Sequence, residues 1–176
     1  DLCNPKVQDH VFNVVDNLMQ SHPRIHYMKW DANMSMNNAS SLYLPEDRQS
    51  HLYVEYHKGL IDVCRRIREK YPELIIQLCA SGGGRLNYGF FPYFNECWSS
   101  DNTDAIQRLY IQCGMSHFYP ANIMAAHVSA SPNHQTKRVV PLKFRFDVAM
   151  TGRLGMEMKP SDLSEKEREF AKNAIE

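Results

Sequence analysis

Hydrophobic residues recur at helical spacing in several stretches of the chain, and between these stretches they follow one another directly in short segments. The helical period predicts five helices, over residues 6–21, 49–71, 103–113, 142–150 and 161–175. Pro72 stops the second helix, Gly114 follows the third, and Ser164 with Glu167 resembles a capping box for the fifth. Either Asn102 or Thr103 is suited to cap the third helix.

The short apolar segments predict strands between these helices. They cover residues 25–31, 74–79, 97–101, 118–127 (strand plus loop) and 154–158. Residues 32–50 are polar, rich in Asn and Ser, and predict a loop. Strands that alternate with helices pair in parallel, which gives an α/β fold with right-handed connections. A complete (β/α)8 barrel takes about 250 residues, so the chain forms either a small open sheet or the second part of a barrel.

The charge balance bears on the possible partners. The 176 residues carry 20 Lys and Arg against 20 Asp and Glu, a formal net charge of zero. A nucleic-acid binder needs a basic excess, and a membrane protein needs an apolar run of about 20 residues. We therefore expect no nucleic-acid partner and no membrane partner. The chain opens on no secretory signal, and we expect a cytoplasmic location.

The cysteine pattern bears on cofactors. The five cysteines are odd in number and form no CxxC pair. This pattern favours reduced thiols, buried as small hydrophobic side chains, over a disulfide framework or a zinc site. His117, His127 and His134 match no helical HxxxH pattern. We expect neither a metal nor a cofactor.

Polar side chains gather after three of the predicted strands, where α/β folds place their chemistry. Lys29 and Asp31 are two residues apart in the first strand and so project to one side, either as part of a site or as a local ion pair. Residues 79–85, CASGGGR, place glycines after the second strand, where they allow either close approach to a ligand or a flexible turn. Ser81 lies here without the GxSxG pattern of a nucleophile elbow, and the segment is no P-loop.

The third cluster, residues 98–104, has the sequence WSSDNTD. Its two carboxylates suit either metal binding or helix capping, and we interpret Asp104 as a cap and Asp101 as the catalytic candidate. Lys137 and Arg138 are expected in a solvated loop. Asp31 and Asp101 follow different strands, so both can face one cavity, and paired carboxylates over a shared cavity are the machinery of glycoside hydrolysis.

Several motifs together resemble one family. YMKWDAN at 27–33, CASGGGR at 79–85 and WSSDNTDA at 98–105 resemble the signatures of the melibiase-type α-galactosidases of glycoside hydrolase family 36. AHVSASPNHQTKR at 126–138 and RFDVAMTGRLG at 145–155 are also similar to family sequence. The order and the spacing of the motifs agree as well as their content.

The resemblance implies a partial (β/α)8 TIM barrel that runs from about the third helix to the eighth. Residues 1–176 are then part of a single catalytic domain. Family members carry further barrel strands and β domains outside this stretch. We therefore expect the isolated 176 residues to be inactive or nearly so.

The resemblance also implies roles for individual residues. Asp31 is similar to the nucleophile of a retaining mechanism, and Asp101 is similar to the general acid/base. We expect Lys29 to keep Asp31 ionised, and we expect apolar neighbours such as Trp98, with the Asp31 anion, to raise the pKa of Asp101. The substrate-binding residues implied are Lys29, Trp30, Asn33, Cys79, Ser81, Gly82, Arg85 and Trp98.

Two positions depart from the family pattern. Asn87 stands where the family commonly has Asp, and Gln77 stands where it commonly has Glu. Neither is one of the two implied catalytic carboxylates, so they bear on substrate preference more than on reaction type. The predicted partner is an α-galactoside oligosaccharide, and we expect the full-length protein to be a homo-oligomer. The alternatives are an α-N-acetylgalactosaminidase of the same fold or an inert barrel fragment.

Overall fold

A computed structural model describes residues 1–33 and 39–176 of the chain. The described residues form five helices: α1 (Pro5–Ser21), α2 (Leu52–Lys70), α3 (Ala105–Ser116), α4 (Leu142–Ala149) and α5 (Glu165–Ile175). They also form five strands: β1 (Tyr27–Asp31), β2 (Ile75–Cys79), β3 (Glu96–Trp98), β4 (Met124–Ser129) and β5 (Arg153–Glu157). Helices and strands alternate along most of the chain, as the hydrophobic pattern predicts.

The hydrogen-bonded order of the strands follows the chain, β1-β2-β3-β4-β5. The pairs β2–β3, β3–β4 and β4–β5 are parallel. Chain order with parallel pairing is the pattern of successive βα units in an α/β barrel, and it confirms the predicted α/β class. How much of a barrel the chain spans stays a prediction.

The chain divides into two compact units, Asp1–Ile76 with Asn87–Asn95, and Gln77–Leu86 with Glu96–Glu176. The assignment of all 176 residues to one domain stays a prediction. In the first unit α1 packs on α2, where Lys70 Nζ lies 2.5 Å from Asp16 Oδ1 and the Arg66 guanidinium lies 4.4 Å from the centre of the Phe12 ring. The pairing with Lys70 and the hydrogen bond from Tyr71 lower the pKa of Asp16.

The second unit has an apolar core on β4. Its buried residues are Ala126, Val128, Leu142, Phe146, Ala149, Leu163 and Ala171. They come from β4, α4 and α5 and the segment before α5, so helices cover one face of the parallel sheet. None of the described helices combines the length and the apolar character needed to cross a bilayer.

A buried polar cluster lies among the strands of this unit. Gln77 Nε2 donates to Glu96 Oε1 at 2.7 Å, and Arg153 Nε lies 2.8 Å from Glu96 Oε2. Gln77 and Glu96 are both buried, whereas the Arg153 side chain is part-exposed. Gln77 therefore supplies a partner to a buried carboxylate.

Several predicted element bounds differ from the structure. Asp104, rather than Asn102 or Thr103, caps α3 by accepting from the Ile106 amide at 2.9 Å. The helix α3 continues past Gly114 to Ser116, and a Cβ added at Gly114 would have no atom within 4 Å. The start predicted for the second helix lies in a 3-10 turn, Glu46–His51. The helix α5 begins at Glu165 rather than at Ser161, and the predicted capping box of Ser164 with Glu167 is confirmed. Part of the predicted 32–50 loop, residues 34–38, lies outside the described residues.

We predict that Gln77→Met lowers the free energy of unfolding by about 1–3 kcal/mol, because the buried Glu96 carboxylate loses a donor. In the Gln77→Met, Glu96→Met double variant, most of that loss is recovered, since both buried polar partners are gone and the part-exposed Arg153 is hydrated. Urea unfolding of the three proteins measures the difference. A Gln77→Met variant as stable as the parent would contradict this account of the cluster.

Candidate active site

The end of β1 presents Lys29 and Asp31 on one face. Tyr27, Lys29 and Asp31 are exposed, and Met28 and Trp30 between them are half-buried. This alternation confirms that Lys29 and Asp31 project together from a strand. Asn33, two residues after the strand, is exposed as well. All of these residues belong to the first unit.

The glycine loop after β2 has a packing role. Gly82 has φ +89°, and a Cβ added there would lie 2.8 Å from Ser100 Cα and 2.9 Å from Ser99 O. Ser81 before it also has a left-handed backbone, with φ 50°, and its side chain is exposed. The chain can pass this close to the 99–100 backbone only where no side chain intervenes. Gly82 thus brings the β2 loop against the β3 loop, and its assignment to a sugar subsite stays a prediction.

The end of β3 presents Asp101. Trp98 is 2% exposed and packs with Cys79 and Ala125. Its indole Nε1 donates to Asp101 Oδ1 at 3.0 Å, while Asp101 itself is exposed. A rigid buried ring therefore holds one oxygen of a carboxylate that reaches the surface.

Two further side chains contact the Trp98 ring. The Arg108 guanidinium carbon lies 4.4 Å from the ring centre, and the His127 ring lies 4.5 Å away, tilted by 39°. Burial lowers the pKa of Arg108 to about 10, although the charges of Glu157 and Asp101 oppose that shift.

The sequence reasoning missed Arg108 and considered His127 only as a metal ligand. One signal was present in the sequence: Ala105, Arg108 and Gln112 follow helical spacing, and all three are buried on α3. A polar residue on a buried helix face needs a polar partner, so Arg108 and Gln112 indicate positions where the fold contains such a partner.

A hydrogen-bonded network anchors the segment that follows Asp101. Asp104 is buried and pairs with Arg138 at 3.2 Å, and it accepts from Thr136 Oγ1 at 2.6 Å. The Thr103 carbonyl accepts from Ser129 Oγ at 2.7 Å, and Thr103 Oγ1 accepts from Asn133 at 3.1 Å. Capping by Asp104 is confirmed. Arg138 is exposed in a loop, as predicted, and its guanidinium also compensates this buried carboxylate.

The described residues contain no cluster of three or more His, Cys, Asp or Glu that could hold a metal ion. All five cysteines are free thiols, with Cys113 exposed and the other four buried. Burial raises the pKa of the Cys64 and Cys97 thiols to about 12, so neither is a ready nucleophile at neutral pH.

Arg85 and Asn87 follow β2 in the chain. Arg85 is half-buried. The Asn87 side chain accepts from the Gly89 amide at 2.9 Å and so caps the short turn Tyr88–Phe90. A cavity of about 480 Å³ in the second unit is lined by residues such as Arg145, Asp162 and Glu167 rather than by Asp101.

Comparison with known proteins identifies what the chain is similar to. The melibiase family model matches residues 1–176. The chain is 38% identical over 175 residues to alpha-galactosidase 2 of Pediococcus pentosaceus and 41% identical over 175 residues to alpha-galactosidase AgaA of Geobacillus stearothermophilus. Each alignment covers 99% of this chain and 24% of the relative.

Solved structures give the same result. A variant of the GH36 alpha-galactosidase AgaA in complex with raffinose superposes with a TM-score of 0.95 at 40% identity, over 99% of this chain and 24% of that one. The alpha-galactosidase from Lactobacillus brevis superposes with a TM-score of 0.95 at 37% identity, over 99% of this chain and 23% of that one. The chain therefore spans about a quarter of the length of the relatives it matches.

We predict that Gly82→Ala destabilises the protein by about 1–3 kcal/mol, because the new side chain strains a left-handed backbone and meets the 99–100 backbone. Gly83→Ala is the matched control, since its Cβ would meet nothing closer than 3.7 Å and its φ is not left-handed. Denaturant midpoints of both variants measure the difference. Equal effects at the two glycines would contradict the close approach of the two loops.

Proposed function

The chain belongs to the melibiase family, glycoside hydrolase family 36, and on this premise we propose that the polypeptide containing it is an α-galactosidase. The observation that carries the proposal is the carboxylate of Asp101, exposed at the end of a parallel strand and held by a buried indole. Asp31 ends another strand and is also exposed. Carboxylates at strand ends are the groups that glycoside hydrolysis requires.

The proposed reaction is a double displacement. Asp31 attacks the anomeric carbon of the galactosyl group, the bond from that carbon to the leaving oxygen breaks, and Asp101 gives its proton to that oxygen. A water molecule then attacks the galactosyl-Asp31 ester while Asp101 takes a proton from it, which releases galactose and restores both side chains. That the two carboxylates meet around one sugar is part of this proposal.

The proposed substrates are oligosaccharides that end in an α-linked galactose. Crystal structures of AgaA variants, which are 40% identical to this chain, contain raffinose or stachyose. We propose that Lys29 binds galactose hydroxyls and that Trp30, Asn33, Cys79, Ser81, Gly82, Arg85 and Trp98 complete the subsite. A homo-oligomeric state and a cytoplasmic location stay predictions.

The alternative sugar, N-acetylgalactosamine, differs by an acetamide that the Cys79–Gly82 wall would have to accommodate. The relatives named above are all alpha-galactosidases, which favours galactose. A panel of aryl α-glycosides assayed with the complete polypeptide decides between the two sugars.

We predict that Asp101→Ala in the complete polypeptide lowers kcat/KM for raffinose by roughly 10²–10⁴-fold, because the sugar leaving group needs a proton. A dinitrophenyl α-galactoside needs none, so its kcat/KM changes little, while its kcat falls because the base is missing. Added azide replaces the activated water and restores kcat, giving a galactosyl azide product that chromatography detects.

Asp104→Ala is the matched control within the same motif. Asp104 is a buried helix cap paired with Arg138, so its loss lowers stability by about 0.5–2 kcal/mol or more and affects both substrates alike. The assignment of Asp101 fails if Asp101→Ala slows the two substrates equally.

A further inference from the structure

A buried arginine lies beside the side chain that holds Asp101. Arg108 projects from α3, is 2% exposed, and stacks its guanidinium on the Trp98 ring at 4.4 Å. Such a cation–π contact restrains the position of the ring. Trp98 donates its N–H to Asp101, so Arg108 contacts the group that orients the carboxylate.

The same arginine makes a second contact with the end of β3. Its Nη1 donates to Ser99 Oγ, and Ser99 lies between Trp98 and Asp101 in the sequence. One rigid guanidinium therefore restrains the indole and the backbone segment that carries the carboxylate. A lysine in its place could not make both contacts, because it lacks the planar fork.

The surroundings of Arg108 satisfy its guanidinium only in part. Its Nη2 is buried and has no hydrogen-bond partner among the described residues. The acidic groups whose charge acts on it, Glu157 and Asp101, are both exposed. An incompletely partnered buried cation costs free energy, and apolar replacements of buried charges are often neutral or stabilising.

His127 is a second support for the same ring. It packs on Trp98 at 4.5 Å, and its Nδ1 lies 3.8 Å from Glu157 Oε2. Among the described residues that buried nitrogen has no hydrogen-bond partner within bonding distance. Arg108 and His127 therefore both contact Trp98, and each has a buried nitrogen without a hydrogen-bond partner among the described residues.

We propose that Arg108 is the positioning residue for Asp101: through Trp98 and Ser99 it holds the carboxylate where the proton passes to the leaving oxygen. This inference rests on the proposed function, in which Asp101 is the acid/base. Proton transfer requires the donor within hydrogen-bond distance, so a small displacement of the carboxylate slows the step that needs the proton.

The test is Arg108→Met in the complete polypeptide, assayed with raffinose and with a dinitrophenyl α-galactoside. We expect kcat/KM for raffinose to fall roughly tenfold to a hundredfold, as a misplaced catalytic group predicts. For the dinitrophenyl substrate we expect kcat/KM to change less than about threefold, because its leaving group needs no proton. The temperature of thermal unfolding is expected to stay unchanged or to rise.

Arg145→Met is the matched control. Arg145 is another buried arginine of the same unit, and it donates to the carbonyl oxygens of Ser129 at 2.6 Å and Val140 at 3.2 Å. Its loss removes a donor from two carbonyl groups, so we expect a lower unfolding temperature. We expect kcat/KM to change by the same factor for both substrates. Trp98→Phe, which removes the N–H that reaches Asp101, is the second variant. Because Trp98 also belongs to the proposed subsite, we expect it to slow both substrates, with the larger loss of kcat/KM for raffinose.

Equal losses on the two substrates in Arg108→Met and Trp98→Phe, or no loss in either, would overturn the inference. If Asp101→Ala discriminates between the substrates and these two variants do not, only the role of Arg108 fails. If Asp101→Ala itself does not discriminate, the proposed function fails, and the role of Arg108 fails with it.

Discussion

The burial of one indole ring sets the position of Asp101 in the second unit. Trp98 ends β3 inside the protein, packed with Cys79 and Ala125, and its N–H donates to an exposed group, Asp101. Because the ring is large and enclosed, it has little freedom to move, and the carboxylate that it holds shares that restraint. The packing of the Trp98 ring thus restrains the position of Asp101.

Two other devices fix the loop from which Asp101 projects. Gly82 allows the preceding loop to lie against the 99–100 backbone, at a distance that a side chain would prevent. On the other side, Asp104 and Thr103 are bound by groups from the β4 loop, Arg138 and Asn133 among them. A carboxylate held by neighbouring rigid elements has little freedom to lose on binding a ligand, which suits the proton transfer proposed for Asp101.

The sequence predicted the parts of this arrangement that depend on local pattern. The strand that ends in Asp31, the continuous apolar strand before Cys79 and the capping box of α5 each follow from a period or a cap within a few residues. The local pattern offers Asn102, Thr103 and Asp104 as caps for α3, and the structure selects Asp104, which is buried against Arg138.

The contacts of Arg108 and His127 with Trp98 could not be predicted, because they depend on how α3 and β4 pack against the end of β3. Gly82 was interpreted as a ligand contact for the same reason: its neighbour, the 99–100 backbone, is set by the pairing of β2 with β3. Family resemblance implies catalytic roles for Asp31 and Asp101, which stay proposals, and it does not indicate which side chains support them.

The most direct measurement is mass spectrometry of the complete polypeptide carrying Asp101→Ala after it reacts with a dinitrophenyl α-galactoside. The activated substrate galactosylates the nucleophile without a proton donor, and the ester then persists because no base activates water. The account predicts a covalent galactosyl adduct that peptide mapping places on Asp31. No adduct, or an adduct on a different residue, would contradict it.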